Sequence, residues 1–154
     1  MVTLRPADLS DEERLLEWRN EPTTRAGSLT EGEVSPDDHY RWLSRKLADP
    51  DCALFIVLAG TEPLGQVRVD RVGEGIGEIS IGLAPEARGR GIGREALRLA
   101  AEEARERLGV TTLRAFVKAD NEASLRAFAA AGYTEFSRRD DVVQLTLVQE
   151  TGTR

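Results

Sequence analysis

The stretch Ile79-Ser80-Ile81-Gly82-Leu83-Ala84-Pro85-Glu86-Ala87-Arg88-Gly89-Arg90-Gly91-Ile92-Gly93 carries a strand, a break and a helix start in one short run. Ile79, Ile81 and Leu83 alternate with Ser80 and Gly82, the pattern of a strand with one apolar face. Ala84-Pro85-Glu86-Ala87 closes that strand, and Arg88 to Gly93 opens the longest helix, which runs to Leu108-Gly109. Ile92, Ala96, Leu97, Ala100, Ala101, Ala104 and Leu108 form a broad buried stripe on it, and Gly109 is its expected C-cap. A strand end meeting a helix start gathers backbone N–H groups at the positive end of the helix dipole. Glycines at 89, 91 and 93 remove side chains that would hold a phosphate away from the backbone, while Arg88, Arg90 and Arg94 add positive charge. A pyrophosphate suits such a nest. The Gly-Lys-Ser/Thr ending of a P-loop is absent, and a dinucleotide fingerprint would follow the first strand of its unit. Taken by itself, the loop also fits a plain glycine-rich turn with solvated arginines.

Outward from this stretch, the pattern gives the order β-α-α-β-β-β-α-β-α-β-β. Val2 to Arg5 is a first strand, and Asp8 or Ser10 caps a helix through about Asn20. Residues 21–34 read as an irregular connector. Ser35-Pro36 starts a second helix, to about Ala48, with His39, Trp42, Leu43 and Lys46 at helical spacing. The apolar run Cys52 to Ala59 predicts a buried strand. In Leu64 to Arg71, Gln66, Arg68 and Asp70 share one face, and a Gly73–Gly75 turn pairs this strand with Ile76 to Leu83, whose polar face carries Glu78, Ser80 and Gly82. Thr112 to Lys118 is the next strand, which a parallel crossover joins to Ile76–Leu83. Asn121 or Asp120 caps a helix through about Ala131, and Tyr133 to Ser137 and Val142 to Val148 complete the sheet. Residues 149–154 are expected to fray. The fold class is therefore α/β (α+β), a mixed central sheet of about seven strands with four helices on its faces.

With 154 residues, the chain has the length of one domain, 1–154. Its 21 Lys+Arg against 27 Asp+Glu give a net charge of −6, the opposite balance from a protein that grips nucleic-acid phosphates. No apolar run approaches a membrane span, and Met1 to Pro6 lacks the pattern of a signal peptide, so neither nucleic acid nor membrane is an expected partner and the cytoplasm is the expected compartment. One cysteine, Cys52, excludes an internal disulfide, and one histidine, His39, excludes the usual Cys/His zinc sites, so no metal is expected.

The segment Ile79 to Gly93 resembles the acetyl-CoA motif of the GNAT N-acetyltransferase superfamily. Asn121-Glu122-Ala123-Ser124, then Phe128, then Gly132-Tyr133 is similar to the family's Asn-x-x-Ser helix ending in Gly-aromatic, at the usual separation. The resemblance implies the GNAT fold and acetyl transfer from acetyl-CoA, as co-substrate, to an amine. The diphosphate would rest on the N–H groups of Arg88, Gly89, Arg90, Gly91, Ile92 and Gly93, beside Arg94. The pantetheine arm would pair with the backbone of Ile81, Gly82 and Leu83, in a slot that the family opens with a bulge near Gly82. Asn121 and Ser124 would touch the cofactor on its other side, although Asn121 also suits a plain helix cap. An alkyl ammonium near pKa 10 must lose a proton before it attacks. Glu78, on the polar face with Ser80, is the candidate base, directly or through water; a solvated strand carboxylate is its plain alternative. Many relatives carry a Tyr seven residues after the Asn. Here Phe128 stands there in the cofactor motif, so the usual general acid is missing.

Trp18-Arg19-Asn20, the His39-x-x-Trp42 helix and Gly65-Gln66-Val67-Arg68 together resemble the branch that acetylates 4-amino sugars on UDP in pseudaminic acid biosynthesis. On that resemblance Trp18, Arg19, Asn20, His39, Gln66 and Arg68 are the acceptor-binding candidates. Trp18 and Trp42 equally fit core positions, His39 a structural role, and Arg68 with Asp70 an ordinary ion pair. The Asn-x-x-Ser helix also resembles ribosomal-protein acetyltransferases, which leaves a protein N-terminus as an alternative acceptor. A non-catalytic acyl-CoA-binding module is the third alternative. A small amine is the expected partner, and the chain is expected to be a monomer or a homodimer through its last hairpin.

Overall fold

The computed structural model describes residues 1–29 and 32–149. Seven strands form one sheet: β1 Val2–Pro6, β2 Cys52–Ala59, β3 Glu62–Gly73, β4 Ile76–Leu83, β5 Thr112–Lys118, β6 Thr134–Arg139 and β7 Val142–Val148. The helices are α1 Glu12–Asn20, α2 Pro22–Gly27, α3 Pro36–Ala48, α4 Ile92–Leu108 and α5 Glu122–Ala130. The sheet order is β1-β2-β3-β4-β5-β7-β6. All neighbours are antiparallel except β4 and β5, whose parallel pairing follows from the α4 crossover.

Both faces of the sheet are covered, which explains the continuous apolar run in β2. One core sets Phe55, Val57, Val67, Val69, Ile79, Leu113, Ala115 and Val117 against Ala96, Leu97, Ala100 and Ala104 of α4. The opposite face of β2 gives Leu54 and Ile56 to Leu15 of α1 and Leu43 of α3, with Trp18 and Trp42 packed at the margin. Both tryptophans thus serve as core-edge residues.

The expected helix from Asp8 or Ser10 arrives in two pieces. Asp8 caps a single tight turn at Leu9–Asp11, and α1 follows. Asp11 is 1% exposed and ion-paired to Arg5 at 2.8 Å. Burial alone would push its carboxyl up, but the Arg5 guanidinium and the Asp8 N–H outweigh that and hold it below the usual aspartate value of 3.8. This contribution to stability is therefore complete at neutral pH and is lost as acid carries the pH down past that value. Asp11→Ala should lower stability by about 2–4 kcal/mol in denaturant titration at pH 7, less than a fully buried pair because Arg5 can rehydrate. An unchanged midpoint would show that the pair does not hold β1 to α1.

The connector 21–34 contains a short helix, α2, that the sequence reading treats as irregular. Pro22 sits at its first position, and the Glu21 side chain accepts from Thr24 N–H and from the Thr23 and Thr24 hydroxyls. The Thr23 hydroxyl first, and the backbone N–H groups with it, draw the Glu21 carboxyl down to about 2. At the other end, Gln149 is hydrogen-bonded to the body of the domain. Its N–H donates to Thr111 at 2.7 Å and its amide to Ala101 at 3.0 Å, whereas the rest of the expected frayed tail lies outside the described residues. No described helix is long and apolar enough to cross a membrane.

Candidate active site

β4 and β5 pair only from Ile76–Glu78 against Thr112–Arg114. Beyond Glu78 they part, while β5 stays paired with β7 as far as Lys118. The β5-facing edge of Ile79–Leu83 is thus left with no strand beside it, and a V-shaped cleft opens with Glu78 at its fork. The expected bulge near Gly82 does not appear in the pairing of β4 with β3. The β3–β4 register runs without a shift from Gly65↔Leu83 to Arg71↔Gly77. The gap comes from β5 following β7 rather than β4.

The mouth of the cleft is the glycine loop. Gly89 and Gly91 take left-handed φ values of +74° and +76°, and Gly91 is the N-cap of α4. No heavy atom lies within 4 Å of where a Cβ would stand on either residue. The N–H groups of Ile92, Gly93 and Arg94 precede the helix's own bonding pattern and can meet an anion. Arg90 and Arg94 are exposed beside them. These residues fit a diphosphate, as their sequence suggests. The missing side chain of Gly93 serves packing, since a Cβ there would lie 3.2 Å from Ala127 of α5, while its N–H stays with the nest.

Arg88 turns back toward α2, donating to Thr23 at 2.6 Å, Thr24 at 3.0 Å and the Leu83 carbonyl at 3.2 Å. Across the cleft, Lys118 Nζ donates to the Ala26 carbonyl at 3.0 Å and Asn121 Nδ2 to the Gly27 carbonyl at 3.5 Å. The small helix is thereby tied to both walls. Asn121 also caps α5, its oxygen accepting from Ser124 N–H at 3.3 Å. Phe128, expected in the cofactor motif, is 2% exposed and packs edge-on against Tyr133 with ring centroids 4.9 Å apart. Its ring belongs to the core. The Tyr133 hydroxyl is buried as well, and burial raises its pKa, so it is no better placed to give up a proton.

The polar faces of β3 and β4 form one surface, as the alternation predicts: Gln66, Arg68 and Asp70 stand opposite Gly82, Ser80 and Glu78. Arg68 lies over the Trp42 ring, 5.3 Å from its centroid, and donates to Asp70 at 2.8 Å. Asp70 also accepts from Lys46 of α3 at 2.8 Å. Burial opposes ionisation of Asp70, but these two cations more than offset it and lower its pKa. The neighbouring Cys52 thiol is pushed up to about 12, chiefly by burial and then by the Asp70 charge.

Three expected acceptor residues are engaged elsewhere. Trp18 lines a surface hollow with Glu13, Arg14, Glu17 and Pro63, none of them a cleft residue. Asn20 uses both ends of its amide on Val34, each bond 2.8 Å, and so closes the connector onto α1. His39 is 4% exposed, stacks on Trp42 with centroids 5.5 Å apart, and stands 3.7 Å from Glu12. Burial lowers its pKa and outweighs the opposing pull of Glu12, with a smaller contribution from Arg19 in the same direction as burial. Two residues of this surface escape the sequence reading: Arg114, 3.9 Å from Glu78, and Thr146, its partner on β7. The alternation of Leu113, Ala115 and Val117 holds the signal for Arg114, since it puts Arg114 on the opposite, polar face.

Solved structures share this architecture. The spermidine N-acetyltransferase of Vibrio cholerae, in complex with CoA and spermine, superposes with a TM-score of 0.86 at 20% identity over 96% of this chain and 95% of that one. AAC(6')-Ib in complex with ribostamycin and coenzyme A gives 0.83 at 19% over 96% and 93%. The Campylobacter jejuni N-acetyltransferase PseH in complex with acetyl coenzyme A gives 0.74 at 19% over 97% and 100%. No curated protein sequence matches the chain significantly. The family model of the acetyltransferase (GNAT) domain matches residues 1–134, which include β1 through α5 and so the forked strands, the glycine loop and the Asn121 helix: the chain belongs to the GNAT acetyltransferase family.

Proposed function

We propose that this enzyme transfers the acetyl group of acetyl-CoA to a primary amine of a small acceptor, an amino sugar linked to a nucleotide. The observation that carries the reading is the fork: an unpaired β4 edge runs from the glycine loop down to Glu78. The edge offers backbone pairing to the pantetheine arm, and the backbone from Gly89 to Gly93 offers N–H groups to the diphosphate, whereas the expected Arg88 N–H is taken by the Pro85 carbonyl. Glu78 takes a proton from the acceptor ammonium, directly or through water, with the Ser80 hydroxyl next along the same face. The neutral amine then forms the C–N bond to the thioester carbonyl as the C–S bond breaks, and the nitrogen gives up its second proton to solvent. Backbone N–H groups of the open edge steady the charge on the carbonyl oxygen. The thiolate leaves unassisted, since Phe128 has no proton to give.

The choice of acceptor rests on charge. Arg68 and Lys46 share one carboxylate, Asp70, and Arg114 stands 3.9 Å from Glu78, so these groups together carry an excess of one positive charge. That favours an acceptor with an anionic diphosphate over a polycation. With α2 tied across the cleft mouth, the space suits a small molecule better than an extended peptide. Thiol release should be followed with acetyl-CoA and, in turn, a UDP-linked 4-amino sugar, spermidine, ribostamycin and a peptide with a free N-terminus. Release with the amino sugar is the expected result. Tight acetyl-CoA binding with no release from any amine would reduce the protein to a binding module. Arg68→Ala should raise the amino-sugar KM about tenfold or more, and an unchanged KM would reject a diphosphate on the acceptor.

A further inference from the structure

Gln66 Oε1 is buried and has no hydrogen-bond partner among the described residues. An amide oxygen left so has lost its water without gaining a partner, a penalty that a bound donor removes. Other buried polar atoms share this condition, among them Arg114 Nε, Thr146 Oγ1 and Tyr133 OH. Gln66 differs in what it lies on. Its cross-strand partner is Gly82, and a Cβ added at Gly82 would stand 3.1 Å from Gln66 Nε2. The amide therefore fills the space that the missing side chain leaves, directly over the strand whose far edge is open. Gln66 stands above the plane of the sheet, on the face of Arg68, Ser80 and Glu78 that α1 touches. The cofactor edge lies in that plane. A ligand that meets Gln66 therefore comes from the acceptor side.

Glu78 sits four residues from Gly82 along β4, about 13 Å at the rise of a strand. A nitrogen held at Glu78 lies toward the other end of this face, which leaves Gln66 to meet a different donor of the same acceptor. We propose that Gln66 Oε1 accepts a hydrogen bond from a hydroxyl of the acceptor, and that Gln66 is the positioning residue that makes the enzyme select hydroxylated amines of the amino-sugar class over bare alkylamines. This rests on the acetyl-transfer reading above and deepens it. A site built to bond a hydroxyl discriminates strongly against the analogue lacking it, because its own polar group is left unpaired.

The test compares the UDP-linked 4-amino sugar with its monodeoxy counterparts, using the native enzyme, Gln66→Leu and Gln66→Glu. Acetyl-CoA binding is measured separately by calorimetry. With the native enzyme, one counterpart should lose roughly 10²-fold in kcat/KM. Gln66→Leu should lose a similar factor on the parent sugar and nothing further on that counterpart, at unchanged acetyl-CoA affinity. Gln66→Glu, which keeps an accepting oxygen, should keep the preference. A deoxy penalty that persists in Gln66→Leu, a parent kcat/KM within twofold of native, a weaker acetyl-CoA affinity in Gln66→Leu, or turnover of spermidine but not of the amino sugar would each overturn the assignment. Thiol release from no amine at all would instead bring down the acetyl-transfer reading, and the assignment with it.

Discussion

Gly91→Asp should weaken acetyl-CoA binding by about 10²–10³-fold while leaving the fold almost intact. Gly91 holds φ +76° at the first cap of α4, with nothing within 4 Å of an added Cβ, so the substitution meets no atom. Its conformational penalty is the left-handed one, about 1 kcal/mol, and aspartate tolerates that region better than most residues. The large effect is electrostatic. A carboxylate would stand where the N–H groups of α4 meet a diphosphate, and like charges about 4 Å apart near a surface repel by about 4 kcal/mol. Calorimetric titration with acetyl-CoA checks the binding, and a melting curve checks the fold. Unchanged affinity would remove the diphosphate from this loop, and collapse of the fold would make Gly91 a structural residue.

Glu78→Gln should slow turnover at pH 7 roughly 10²-fold or more, with acetyl-CoA affinity unchanged. The substitution keeps the side chain's size and its place at the fork, 3.9 Å from Arg114, but removes the proton acceptor. The variant then depends on amine that is already neutral, so its rate should climb as the pH approaches the ammonium value near 10. A pH–rate profile of kcat/KM separates this from mere damage, which would lower the curve without moving it. Near-normal turnover at pH 7 would take Glu78 out of the mechanism.

What could be read from the chain was local. The β4-to-α4 passage is legible because alternation, Pro85 and the glycines each act within a few residues. The shared polar face of Gln66, Arg68, Ser80 and Glu78 follows from period-2 geometry and one turn. The fork is expected only through the family resemblance, which implies a slot beside Gly82, and cannot be read from the residues themselves. Nothing in Ile79–Leu83 or Thr112–Lys118 says that pairing stops after Glu78, because β7, far along the chain, decides where β5 goes. Asn20 shows the same limit. Its amide looks ready for a ligand until Val34, fourteen residues on, takes both of its ends. The start of α2 was present as Pro22 after a capping Glu21, but six residues are too few to show a period. Phe128 was visible as a missing proton donor, whereas its burial against Tyr133 is a fact of packing.

The lone sulfhydryl of Cys52, held near 12 by its half-buried place beside Asp70, has a practical consequence. At pH 8 very little of it stands as the nucleophilic anion. An electrophilic chromogenic disulfide would therefore titrate the coenzyme liberated in each catalytic cycle and draw almost no background from the protein, so rates could be followed continuously even at high enzyme concentration with poor acceptors.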